Sequence, residues 1–272
     1  MSQFLKPEEA RDVPKEDGVY KVLIAIPNEG HTQVEAYANR LMNFMHMGKL
    51  EERLKHEGAK PRPEFYFMTM GRIFTPLARE EAASMAEDCG MDYLYMIDDD
   101  MIAGDDTFER LARHDVDIVA PLAFTRNYPH MPVMYSCMEG WDPVRQKEFF
   151  RNHYVQNYPK DQLVECDAVG FGAVLIKIGV IKAMEKPRFM STCGTGEDVL
   201  FCYSAKKLGF RTFMDTSVKL GHLSHPINVT EEYVQQMHKQ LDTQMEKKNG
   251  LYNKYEGRSL LKKDEALVVL GA

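Results

Sequence analysis

The sequence predicts an α/β protein: a mostly parallel central sheet with helices on both faces, a smaller antiparallel part and a C-terminal helix. Three observations lead there. Val19–Ile26 is a continuous apolar run ended by Pro27-Asn28-Glu29-Gly30, the form of a central strand and its exit turn. From there to Pro121, strand-like apolar runs alternate with segments of helical spacing, and that alternation packs helices on both faces of a sheet. The third is Asp98-Asp99-Asp100, directly after Tyr93–Ile97, where a buried strand leaves its sheet and open α/β folds bind ligands.

Taken in order, a helix is expected from about Gln33 to Leu54 and a strand at Glu64–Met68. Thr75 as N-cap with Pro76 at the first helical position starts a second helix, whose Ala78, Ala82, Met85, Ala86 and Cys89 fall on one face. Tyr93–Ile97 delivers the aspartates, a short helix runs from Asp106 to Arg113, and Asp117–Pro121 is another buried strand. Glu139–Gln162 is rich in charge and aromatics without a clean period, and reads as an insertion or lid. Leu163–Val169 and Ala173–Ile178 are β-like and flank Gly170-Phe171-Gly172. Gly194–Asp198 opens a helix through Lys207 that stops at Gly209. Phe210–Met214 and Val218–Leu220 are short strands, and Glu231–Lys248 is a last helix with Val234, Met237, Leu241 and Met245 on one face.

Composition narrows the function. With 34 basic and 41 acidic side chains, the net charge of −7 argues against broad binding of nucleic acid by a basic surface. No apolar run approaches the roughly 20 residues that span a bilayer, and the polar N-terminus lacks the form of a signal peptide, so a cytoplasmic protein is expected. Cys89, Cys137, Cys166, Cys193 and Cys202 are odd in number and unclustered, which predicts reduced, mostly buried thiols.

The acidic triplet carries the chemistry. Three adjacent carboxylates raise one another's pKa unless a cation holds them ionised, and a divalent ion takes oxygen ligands from such a cluster. Capping the next helix is the competing role for Asp99 and Asp100. That helix starts later, at Gly104-Asp105-Asp106-Thr107, which leaves the triplet without a capping task.

Several motifs then stand in a telling order: Ile26-Pro27, Leu77-Ala78-Arg79, Tyr95–Asp100, Val169–Ala173, Gly196-Glu197-Asp198 and Gly221-His222. Over roughly residues 20–226 this order resembles the DxD-containing, metal-dependent nucleotide-sugar glycosyltransferases of GT-A (Rossmann-like) fold, family-2-like. The resemblance implies a main domain at 19–228, with a nucleotide-sugar half to about 125 and an acceptor half after it, between a polar arm at 1–18 and a helix and tail at 229–272. Asp98-x-Asp100 resembles the DxD signature. Asp100 is then a direct ligand of Mn²⁺ or Mg²⁺, Asp98 joins the metal site through water or touches the ribose, Asp99 lies against the donor, and His222 completes the metal site, with His225 its competitor. Glu197-Asp198 resembles the acidic pair near the acceptor, with Asp198, or else Glu197, the base of an inverting transfer and the other part of a helix cap. Arg79 and Arg126 are phosphate contacts, although a solvated helix charge explains Arg79 equally well. Gly170 and Gly172 lie beside the donor, or merely allow a tight turn. Pro27, Asn28, Glu29 and Thr69 are placed at the nucleobase. The first turn departs from the family in reading Pro-Asn-Glu-Gly, and Glu139–Gln162 matches no family element.

Two other classes share these features. A nucleotidyltransferase needs a Gly-rich, Lys-bearing first loop, and Pro27–His31 has one glycine and no lysine. A noncatalytic nucleotide-sugar binder needs no base beside its cation site. The expected partners are a nucleotide-sugar donor, carrying UDP or GDP, and a glycan, lipid-linked, protein or modified-nucleobase acceptor, among which the residues do not select. A homodimer through the C-terminal helix also stays open.

Overall fold

A computed structural model describes residues 18–28, 33–71, 73–192, 194–224 and 227–239. Strand β1 (Val19–Asn28) is followed by α1 (Val34–His56), β2 (Arg62–Gly71), α2 (Thr75–Asp88), β3 (Tyr93–Ile97), the short β4 (Met101–Ile102), α3 (Thr107–Ala112) and β5 (Ile118–Leu122). Then come β6 (Met134–Asp142), β7 (Lys147–Tyr154), β8 (Leu163–Cys166), β9 (Ala168–Val169), β10 (Ala173–Lys177), α4 (Ile178–Ala183), α5 (Glu197–Lys207), β11 (Thr212–Lys219), β12 (Gly221–Ser224) and β13 (Ile227–Val229). The chain divides into residues 1–230 and 231–272, and in the second unit residues 231–239 are helical. The expected arm and most of the expected tail lie outside the described residues.

The central sheet has seven strands in the order β2-β1-β3-β10-β5-β11-β8. β1 runs parallel to β2 and β3, and β5 parallel to β11, whereas β10 and β8 run against their neighbours. Every residue of β3, β5 and β10 is buried, as helices on both faces require. The sequence places β5 next after β3; the structure inserts β10 between them. Apolar periodicity reports burial but not the neighbour, so that insertion leaves no mark in the run itself.

Other differences are local. The helix α2 has Phe74 at its N-cap and Thr75 inside, and its buried face is Pro76, Ala78, Arg79, Ala82, Ala83 and Ala86. Met85 and Cys89, expected on that face, are exposed. Four alanines let the helix approach the sheet, and Arg79 goes in with them. Of the described cysteines only Cys202 is buried. Glu139–Gln162, expected without regular structure, supplies most of an antiparallel hairpin, β6 with β7, that joins the sheet β7-β6-β9. Its pattern is obscured because little of it is core: Met138, Trp141 and Val144 are exposed and Phe149 lies across Gly140.

The two strands expected at 210–220 are one, β11, whose register slips between Asp215 and Lys219. At the slip, Asp215 accepts hydrogen bonds from the Ser217 amide (2.8 Å) and hydroxyl (2.5 Å), and contacts His114 Nε2 at 2.7 Å. Burial alone would raise its pKa, but these partners hold it below the ordinary 3.8. A depressed carboxyl stabilises the fold above its unfolded pKa and loses that contribution on acidification through its folded one. The stability advantage of wild type over Asp215→Asn should therefore be constant above about pH 5 and shrink below about pH 4, as read by urea unfolding.

Candidate active site

Strand β3 carries Asp98–Asp100 to the edge of the sheet where β1 also ends. A second sheet, β13-β12-β4, pairs His222 with Met101 and so sets an imidazole 122 positions away beside Asp100. His222 Nδ1 lies 2.8 Å from the Phe124 carbonyl and Nε2 lies 3.2 Å from Asp100 Oδ2; both oxygens accept, so the arrangement favours a proton on each ring nitrogen. Arg126 donates to the same carboxylate oxygen, and its Nε approaches His222 Nε2 at 3.4 Å. Asp100 Oδ1 is buried without a hydrogen-bond partner. Burial would raise the Asp100 pKa, yet His222 and Arg126 bring it below the usual value. Burial works against charge on His222, and Asp100 outweighs it, lifting the imidazole above 6.5.

A cavity of about 160 Å³ opens here, lined by Pro27, Asn28, Gln33, Ile73, Thr75, Asp98, Asp99, Asp100 and Arg126. Five of the residues expected at the donor, Pro27, Asn28, Asp98, Asp99 and Arg126, thus share one wall with Asp100. The volume is below the ~300–1,000 Å³ usual for a small-molecule site. Thr69 is exposed on β2 opposite Ile26, away from this wall. Glu29 and His225 lie outside the described residues.

Beside the cavity is a second charged group. Arg79, 4% exposed, donates to both oxygens of Asp98 (3.0 and 3.2 Å), to Glu197, and to the Phe171 carbonyl at 3.4 Å. The reading of Arg79 as a solvated helix charge is therefore corrected: the small residues around it bury it. Burial outweighs Arg79 at Asp98, whose pKa is pushed up to about 6. Glu197 is also held by the Ser191 hydroxyl at 3.2 Å. Asp198 is held instead by the backbone amides of Val199 and Phe171. Its Oδ1 accepts the Val199 amide at 2.7 Å, the carboxylate folds back over Gly196, and burial raises its pKa against the pull of Arg79. A side chain on Gly196 would meet that oxygen at 2.6 Å.

Gly170 and Gly172 are off the cavity wall. A methyl at Gly172 would strike Met101 at 2.5 Å and one at Gly170 would strike Val133 at 2.8 Å, so both permit close packing. Gly172 also accepts the Asp98 amide at 2.8 Å.

Sequence reasoning missed the residues beneath the triplet. Helix α1 buries Ala36, Arg40, Asn43, Met47 and Leu50. Arg40 donates to the carbonyls of Asp98 (2.7 Å), Ile97 and Met101 (both 3.4 Å). Asn39 exchanges two hydrogen bonds of 2.9 Å with the backbone of Ala103, and Asn43 adds a third contact there at 3.3 Å. The available signal was polar residues at 40 and 43 on a stripe otherwise apolar at helical spacing.

Among the described residues, no three His, Cys, Asp or Glu side chains are grouped closely enough to hold an ion by themselves. Asp98 turns to Arg79, which leaves the pair Asp100 and His222. The orphaned Oδ1 and the Nε2 of His222, once a cation displaces its proton, nevertheless form a hard-oxygen and imidazole donor set of the kind Mn²⁺ accepts, and an ion that keeps waters and diphosphate oxygens needs no fuller protein cage.

No protein-family model and no curated protein matches the sequence. Similar solved structures include A197 from STIV, 17% identical over 78% of this chain and 91% of that one, with a TM-score of 0.49. UDP-glucose pyrophosphorylase is 8% identical over 83% of this chain and 99% of that one, with a TM-score of 0.43. GalNAc-T7, solved with UDP, GalNAc and Mn²⁺, is 12% identical over 76% of this chain, with a TM-score of 0.41, and this chain spans 43% of its length. At these identities and scores the likeness is one of chain path, and what the chain does is argued from its own site.

Proposed function

We propose that the protein is a metal-dependent GT-A glycosyltransferase that moves a sugar from a UDP- or GDP-sugar to an acceptor hydroxyl. The observation that carries this reading is Asp100 with Arg126 on the wall of a cavity at the carboxyl edge of β1 and β3, and His222 set against Asp100 behind that wall. Asp100 and His222 would hold Mn²⁺ or Mg²⁺, which when bound supplies Lewis-acid stabilisation of the leaving diphosphate. Arg126 adds a planar, permanently charged fork to the same phosphates. Pro27 and Asn28 face the nucleoside, and Asp98 and Asp99 its ribose. Arg79, with its nitrogens on Asp98 and Glu197, positions those two acids and leaves the phosphates to Arg126. Asp198, whose pKa is raised by burial, accepts the proton of the attacking hydroxyl as base of an inverting transfer. Residues 19–125 would supply the donor half and 126–228 the acceptor half.

The test is hydrolysis of UDP- and GDP-sugars with and without Mn²⁺. Asp100→Asn should lower the Mn²⁺-dependent rate at least about 100-fold with the fold intact, and His222→Ala should lower it less and recover partly with excess Mn²⁺. Undiminished turnover in chelator would end the metal-dependent reading. Conversion of the nucleotide sugar and added pyrophosphate to a nucleoside triphosphate and a sugar 1-phosphate would replace it with a nucleotidyltransferase.

A further inference from the structure

We propose that Arg40 is the positioning residue of the acidic loop: through the carbonyls of Ile97, Asp98 and Met101 its buried guanidinium fixes the turn that presents Asp100 to a divalent cation. The proposal rests on the function argued above but concerns a residue outside the cavity wall, behind the loop.

Arg40 is 6% exposed, and a guanidinium so deeply buried ordinarily faces a carboxylate. Here its hydrogen bonds run to three backbone carbonyls within a five-residue stretch, the nearest at 2.7 Å on Asp98 itself. Its Nε is left without a partner, so the fork is committed to the loop and to nothing else. Asp98, Asp99 and Asp100 still act on it through space, opposing the burial that draws its pKa down. The arrangement divides two tasks. Arg40 touches none of the triplet's side-chain oxygens and holds from behind the main chain that aims them. A planar fork suits the task because it meets several carbonyls at fixed angles, whereas an ammonium is a point donor. The Asp98 amide is tied to Gly172 at 2.8 Å and the Met101 amide to Asp98 at 3.3 Å, so the turn is pinned on its amide side as well. Asn39 and Asn43 continue the same fixation to Ala103.

A held turn and a mere background charge predict opposite signs. A positive charge near a cation site repels the ion, so if Arg40 acted by charge alone, Arg40→Met would bind Mn²⁺ more tightly and Arg40→Lys would match wild type. If Arg40 holds the turn, both variants bind Mn²⁺ more weakly, by about 10-fold or more, as when partners that orient metal ligands are lost. Free Mn²⁺ measured by its EPR signal in titrations of the full chain reads this without turnover. In the metal-free protein, hydrogen exchange at residues 98–102 should accelerate in both variants relative to β3 and β10. Unchanged loop exchange in folded variants, or tighter Mn²⁺ binding by Arg40→Met, would overturn the proposal. Should Arg40→Met fail to fold, Arg40→Lys, which keeps the charge and loses the fork, decides alone. Wild-type protein that binds no Mn²⁺ would overturn the proposed function, while loop exchange in the variants still decides whether Arg40 holds the turn.

Discussion

Replacing Arg79 by methionine is expected to lower the unfolding free energy by about 3–5 kcal/mol, the cost of removing one partner from a buried ion pair. Methionine fills much of the volume between α2 and the sheet, so the loss reports charge rather than a cavity. Asp98 and Glu197, with side chains 26% and 14% exposed, would be left facing one another across a site that has lost its cation. At roughly 2–4 °C per kcal/mol for a domain of this size, the melting point should fall by roughly 6–20 °C. Adding Asp98→Asn to Arg79→Met should restore part of the loss, because the carboxylates are coupled through the missing charge. A melting point within about 2 °C of wild type would show that Arg79 does not hold these acids together. Arg79→Lys should fall between, since one ammonium cannot serve both carboxylates at the observed spacing.

Turnover should respond most to Asp198. If it takes the proton of the incoming hydroxyl, Asp198→Asn should lower kcat by roughly 10²–10⁴ while donor affinity stays near wild type, because the donor contacts lie with Asp100, His222 and Arg126. Its neighbour gives an internal control. Glu197 is occupied by Arg79 and Ser191, so Glu197→Gln should act mainly on stability. The stereochemistry of the product completes the check: attack opposite the leaving group inverts the anomeric centre. Retention of configuration, or unchanged kcat in Asp198→Asn, would remove Asp198 from the reaction.

Burial was legible in the sequence where it was continuous. Tyr93–Ile97 reads as a strand because every one of its side chains is enclosed, and the position of Asp98–Asp100 at its end follows directly. The neighbour relations were not legible. Nothing in Ala173–Lys177 says that it enters between β3 and β5 in the opposite direction, since antiparallel and parallel strands enclosed on both faces carry the same apolar run. The hairpin at 134–154 escaped notice because its side chains are spread between solvent and α5, as in the contact of Phe150 with Tyr203, so no alternation builds up. Arg79 and Arg40 show a third limit. Both sit on buried helix faces, yet a positively charged residue on an amphipathic helix reads by default as solvated until the partner beneath it is seen. Motif order pointed to His222, but the contacts of its ring with the Phe124 carbonyl and Asp100 follow from no spacing rule.

The pairing of β12 with β4 also bears on the order in which a ribosome makes this protein. The aspartates emerge early, and the imidazole that faces Asp100 emerges only after every strand of the seven-stranded sheet. A nascent chain stalled before residue 222 carries the whole acidic loop without its late partner, so its grip on Mn²⁺ should be weaker than that of the finished protein. Metal affinity would then mark completion, and a chain halted early would be distinguishable from a finished one by its cation binding alone.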